Sequence, residues 1–130
     1  MDLIAELNNA ITTKSKTKDT QEWENIAVEF LSGVDFTDPE NRKQAIDYIK
    51  HVLGDFVEQN KTITFLEAKS IHCMITKMSL DMLGLKGIKI NYRDRTDKDG
   101  ASVGAYYFDK DKSLNFFNQS VCNINDFIFP

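Results

Sequence analysis

The pair of residues that most resembles catalytic machinery is a histidine beside a cysteine, since an imidazole can activate a thiol. His72 and Cys73 are adjacent within a helical pattern, and adjacent side chains on a helix point about 100° apart. We therefore expect them to face different neighbours and not to act as base and nucleophile. The second cysteine, Cys122, has no cysteine or histidine near it at a metal-binding spacing. The sequence predicts free thiols, no zinc site and no cofactor.

Acidic residues between positions 94 and 99 are the next candidates, because clustered carboxylates can bind a cation. Asp94, Asp97 and Asp99 precede a glycine, as they would in a calcium-binding loop. However, Arg95 stands where that pattern needs an acid, and Tyr106 stands where it needs a bidentate glutamate. We therefore predict a solvated turn or a partner contact without a metal. The sequence also lacks a Gly-rich phosphate loop and a nucleophile elbow, so it offers no catalytic centre of its own.

Helices must position most of these residues, because apolar side chains recur at helical spacing in four segments of the first 85 residues. The clearest segment follows Asp38-Pro39-Glu40, where a cap residue, a proline and an early acid coincide. Two other segments begin with the spacing of a capping box, formed by Asp19 with Glu22 and by Thr64 with Glu67.

Apolar and polar residues alternate over 88–93, and two aromatic runs flank a short polar segment further on, which predicts strands at 87–93, 102–108 and 113–118. The polar run 109–112 between the last two predicts a hairpin turn. The fold class is therefore α+β, with about four N-terminal helices followed by a small antiparallel three-stranded sheet or hairpin. We predict a single domain over residues 1–130, in which residues 1–85 are helical, 86–120 form the β part and 121–130 are an apolar tail.

Charge limits the classes of partner. The chain has 130 residues and a net charge of −4, but residues 1–60 carry 12 acidic and 6 basic side chains, whereas residues 61–130 carry 8 and 10. An acidic helical half is a poor partner for phosphate backbones, so we expect no direct nucleic-acid binding and a protein partner with a basic surface. The N-terminus is acidic and unlike a signal peptide, and no window predicts a membrane span, which favours a cytoplasmic protein.

Residues 67–119 contain a long helix, then Ile88-Lys89-Ile90-Asn91-Tyr92, then the run from Gly104-Ala105-Tyr106-Tyr107-Phe108 to Asn118. This succession resembles the strand region of ImmA/IrrE-type zinc metallopeptidases. In that family a hairpin of this kind precedes the metal-binding helix, whose His-Glu-x-x-His motif is absent from this sequence. The resemblance implies an N-terminal or degenerate portion of such an enzyme, and no catalytic residue can be carried over.

Two hypotheses of function follow. The first is a non-catalytic acidic protein-interaction module of the inhibitor, immunity or regulatory type, borne by a phage or mobile element. The second is the peptidase portion. For the first, two surfaces are candidates: the acidic helices, through Glu22, Glu24 and Glu29, and the aromatic hairpin, through Tyr106, Tyr107, Asp109, Lys110 and Asp111. Tyrosine favours the hairpin because it combines apolar area with a hydroxyl group.

Overall fold

A computed structural model describes residues 2–96 and 105–121 of this chain. In chain order these residues form α1 (Leu3–Lys14), α2 (Thr20–Ser32), α3 (Pro39–Gln59), α4 (Phe65–Met82), β1 (Lys89–Arg93), β2 (Ala105–Phe108), β3 (Ser113–Phe117) and the short α5 (Asn118–Val121). The α+β class predicted from the sequence is confirmed. The start of the predicted strand at 102, Asp97, Asp99, Cys122 and positions 122–130 of the predicted tail lie outside the described residues.

Each of the four long helices begins at a side chain that accepts a hydrogen bond from a free backbone N–H group. The cap residues are Asp2, Asp19, Asp38 and Thr64. The capping box at Thr64 is confirmed, because Glu67 in turn accepts from the backbone N–H of Thr64 at 3.0 Å. The predicted box at Asp19 is wrong, since Glu22 bonds to the preceding loop instead of to its cap.

The sheet is mixed, which corrects the expectation of an antiparallel one. Its strand order is β1-β3-β2, with β2 and β3 forming the predicted antiparallel hairpin and β1 running parallel to β3. β3 inserts between two outer strands that run in opposite directions, so it must be parallel to one of them. The eleven residues between β1 and β2 need to span only two strand spacings, about 10 Å, and need no crossover helix.

The main core lies where α2 and α4 pack against each other and against α1, α3 and β1. Its fully buried members include Leu3, Leu31, Phe36, Ala45 and Met74. A smaller cluster joins α3 to the start of α4 through Val52, Ile63, Ala68 and Ile71. Within the described part of the chain, no helix combines the length and apolar character needed to cross a membrane.

Candidate functional site

An open cleft of about 530 Å³ lies where four elements meet: the first turn of α2, the first turns of α4, the end of β1 and the start of α5. We call it the α2–α4 cleft. It is lined by Asp19, Thr20, Gln21, Glu24, Phe65, Lys69, Asp94, Asn118 and Gln119. Nearly all of these residues are polar, and three of them carry carboxylates, so the cleft is suited to a polar ligand.

Parallel strand pairing builds one wall of the cleft. Arg93 pairs with Phe117 at the last position of the β1–β3 register, and parallel strands end at the same edge of a sheet. The next residues on each strand, Asp94 and Asn118, are therefore brought side by side, and Nδ2 of Asn118 donates to Oδ1 of Asp94 at 3.0 Å. In an antiparallel pair these two residues would lie at opposite ends of the sheet.

A buried ion pair forms the floor of the cleft. Nζ of Lys69 in α4 lies 2.8 Å from Oε1 of Glu24 in α2, and the two side chains are only 3% and 8% exposed. The Lys69 ammonium also lies 5.5 Å from the centre of the Tyr92 ring, within the range of a cation–π contact. The pair cancels its own charge, so the net negative charge of the cleft comes from Asp19 and Asp94.

One hydrogen-bond acceptor in the wall of the cleft has no donor among the described residues. Oδ1 of Asn118 is buried and has no partner among those residues. Its identity as the oxygen is fixed, because the other side-chain atom must be the nitrogen that donates to Asp94. A buried acceptor without a donor is costly, so this oxygen reduces the stability of the folded state.

The three glutamates predicted to share an exposed surface are separated in the structure. Glu22 binds the loop before α2, accepting from the backbone N–H of Lys16 at 2.6 Å and from the Thr17 hydroxyl at 3.0 Å. These hydrogen bonds, the one from Lys16 first, lower the pKa of the Glu22 carboxyl. Glu29 is exposed and lines a different groove, beside β1. The expectation that Glu24 is exposed is wrong, because it lies on the floor of the cleft.

The predicted hairpin surface is partly available. Tyr107 is 48% exposed and Asp109 and Lys110 are exposed in the turn. Tyr106 is half-buried, because Nε of Arg93 donates to its hydroxyl at 2.9 Å and the guanidinium lies 5.3 Å from its ring centre. Asp111 is exposed too, but its Oδ1 accepts from the hydroxyl of Ser113 at 2.6 Å and so holds the turn.

His72 and Cys73 point mainly towards different elements, as their helical spacing predicted, although both lie near the Tyr92 hydroxyl. Nδ1 of His72 lies 2.8 Å from the Tyr92 hydroxyl, and the imidazole packs edge-on against Phe116. Burial lowers the pKa of His72 below its ordinary value. Cys73 instead faces α2, where burial raises the pKa of its thiol to about 11. The thiol is therefore protonated at neutral pH and is a poor nucleophile.

Sequence reasoning missed Lys69, Phe65 and Asn118 as site residues, and it placed Glu24 on the wrong face. A signal for Glu24 does exist: it stands three residues before Ala27 and seven before Leu31, on the stripe that α2 buries. Asn118 has no such signal, because its role depends on the strand register.

Comparisons with known proteins give no relatives: no protein-family model, curated protein or solved structure matches this chain. Over residues 2–96 and 105–121, no group of three or more His, Cys, Asp or Glu side chains could hold a metal ion. The case for function therefore depends on the geometry of the cleft.

Proposed function

We propose that this chain is a non-catalytic protein-interaction module that binds a partner with a basic surface through the α2–α4 cleft. The observation that carries the proposal is the charge of the cleft: among the described residues, three carboxylates line it against one ammonium, and Glu24 already neutralises that ammonium. Two negative charges, on Asp19 and Asp94, remain for a partner. Complementary charge of this kind raises the rate of association and selects among partners.

Features of the cleft other than its buried ion pair also favour a basic protein as the partner. Phe65 lines the cleft and is 61% exposed, which supplies the aromatic area that protein interfaces favour. The first 60 residues carry a net charge of −6, so the field around the cleft also favours a basic protein. The inhibitor, immunity or regulatory type remains part of the proposal, since each acts by occupying a partner's surface.

Charge reversal on the cleft tests this function. Proteins captured from host extract by the immobilised chain would be identified by mass spectrometry, and the leading candidate purified. Its dissociation constant would then be measured for the original chain and for Asp94→Lys, Asp109→Lys and Glu58→Lys. All three residues are exposed, and each substitution changes the net charge equally. Glu58, near the end of α3, is the matched control.

We expect Asp94→Lys to weaken binding by about tenfold or more, because a negative charge that attracts the basic partner is replaced by a positive one. Asp109→Lys and Glu58→Lys should leave affinity within about twofold, since exposed charges distant from a contact are screened. A loss with Asp109→Lys alone would assign the contact to the hairpin and overturn the cleft. Equal affinities for all four proteins, or the absence of any purified partner that binds, would overturn the proposal.

The second candidate function is the N-terminal or degenerate portion of an ImmA/IrrE-like zinc metallopeptidase. The order α4, β1, β2, β3 over residues 65–117 favours it, because the resemblance expected a long helix followed by a strand and a hairpin. The reading frame after Pro130 tests it. A His-Glu-x-x-His sequence within the next few dozen codons would support the enzyme. A stop codon before any such sequence would exclude an intact peptidase.

A further inference from the structure

We propose that the ligand group recognised by the α2–α4 cleft is the guanidinium of an arginine side chain. This inference deepens the proposed function and depends on it only for the protein that supplies the arginine. It rests on three features of the cleft: the oxygens of its accessible carboxylates, the aromatic side chain at its edge, and the net charge of its lining.

The accessible charged atoms of the cleft are acceptors. They are the carboxylate oxygens of Asp19 and Asp94, two exposed residues whose first oxygens accept from the backbone N–H of Gln21 and the side-chain amide of Asn118. A guanidinium is a planar group with five N–H donors and no acceptor, so it satisfies several separated oxygens at once. An ammonium is a compact point charge that cannot match such a spread of acceptors as well.

The aromatic side chain at the edge of the cleft favours the same group. Phe65 belongs to the first turn of α4, one turn before Lys69, and exposes 61% of its surface. Guanidinium groups stack on aromatic faces more readily than ammonium groups do. The protein already makes such contacts elsewhere, since the guanidinium groups of Arg93 and Arg95 each lie 4.6 Å from the centre of the Phe117 ring.

An anionic ligand is disfavoured by the same geometry. Within the described part of the chain, Lys69 is the cation of the cleft lining, and its ammonium is held against Glu24 at 2.8 Å. Asp19 and Asp94 would repel a carboxylate or phosphate that approached from the open side. Asp19 also caps α2 by accepting from the backbone N–H of Gln21, so the positive end of that helix is already occupied.

Four small probes test the inference by nuclear magnetic resonance. The ¹⁵N-labelled chain would be titrated with the N-acetyl amides of arginine, citrulline, lysine and glutamate. Citrulline has nearly the shape of arginine but no charge, and lysine has the charge without the planar fork. The signals to follow are the backbone amides of Gln21 and Gln119 and the side-chain amide of Asn118, all of which line the cleft.

We expect saturable shifts of these signals with the arginine amide, and binding of the lysine amide with an affinity at least about threefold weaker. The citrulline and glutamate amides should cause no saturable shifts. Two variants sharpen the test. Phe65→Leu should weaken arginine binding by about threefold while lysine binding changes little, and Asp94→Asn should weaken both. Asp109→Asn, on the hairpin turn, is the control that should change neither.

Equal affinity for arginine and citrulline, preference for the glutamate amide, or shifts confined to other surfaces would overturn the inference. Its failure is distinguishable from failure of the proposed function. If arginine amide does not bind but the purified partner still loses affinity with Asp94→Lys, the guanidinium assignment is wrong and the interaction module stands. If arginine amide binds and no basic partner does, the proposal of a protein-interaction module is wrong, and the α2–α4 cleft remains a guanidinium site.

Discussion

Glu24 and Lys69 each carry a full charge into the interface between α2 and α4. Removing two charges from water is unfavourable, and their attraction repays that penalty only when both are present. Each residue is therefore stable in this buried position only when the other is present. Nothing in the sequence indicated that the two form a pair. It also fixes how α2 faces α4, because a shift of either helix would separate the charges.

Lys69→Met should lower the free energy of unfolding by about 3–5 kcal/mol, because it leaves the Glu24 carboxylate buried without a partner. The double variant Glu24→Leu with Lys69→Met should recover most of that loss, since no uncompensated charge remains. Urea denaturation of the four proteins in the cycle measures both effects. If Lys69→Met lowered the free energy of unfolding by less than about 1 kcal/mol, water would have to solvate the ion pair in the folded state.

The buried imidazole of His72 makes stability depend on pH. Burial lowers the pKa of His72 in the folded state, whereas the unfolded chain takes up the proton near the ordinary value of about 6.5. The unfolded state then binds more protons, so the stabilisation is complete above about pH 6.5 and decreases as the pH falls towards the folded pKa.

We therefore expect the free energy of unfolding to be lower at pH 5.5 than at pH 7.5, and His72→Gln to reduce that difference. Glutamine keeps a polar group near the Tyr92 hydroxyl but does not titrate. Urea denaturation of both proteins at the two pH values checks the prediction. An equal difference in the variant would assign the pH dependence to another group.

At the scale of elements, α4 has the most complete N-terminal cap and supplies both Phe65 and Lys69 to the cleft. Oγ1 of Thr64 accepts from the backbone N–H of Glu67 at 3.1 Å, and Glu67 returns the contact. This local structure depends on four consecutive residues and was recognised in the sequence. By contrast, the wall formed by Asp94 and Asn118 depends on a strand pairing between residues 24 positions apart.

Thr64→Ala should lower the free energy of unfolding by about 1 kcal/mol, because a free N–H group at the start of α4 loses its acceptor. Thr62→Ala is the matched control, since Thr62 is exposed and lies before the cap. Thermal and urea denaturation compare the two. Similar losses for both variants would mean that the hydroxyl of Thr64 contributes nothing beyond that of an exposed threonine.

At the scale of the whole molecule, a loop residue lies at the centre of the core. Phe36 belongs to the segment between α2 and α3, yet it is fully buried, and its backbone N–H donates to Oδ2 of Asp81 in α4 at 2.8 Å. Apolar periodicity could not identify it, because it lies outside any helical stripe. Phe56, which the α3 pattern assigns to the buried face, is only half-buried.

Phe36→Ala should therefore lower the free energy of unfolding by about 3–5 kcal/mol through the cavity that it leaves. Phe56→Ala should lower it by less, because less of that side chain is removed from water on folding. Urea denaturation of both variants gives the comparison. A larger loss for Phe56→Ala would contradict the position of Phe36 at the centre of the core.

The sequence by itself determined the α+β class, the four long helices, the Thr64 cap and the hairpin turn. Each of these is encoded by residues within a few positions of one another, where spacing and side-chain type act directly on the backbone. The tertiary structure alone decided that β1 runs parallel to β3, that Glu24 meets Lys69, and that Asp94 meets Asn118. Those contacts join distant segments, and their energies depend on burial and register, which local spacing does not specify.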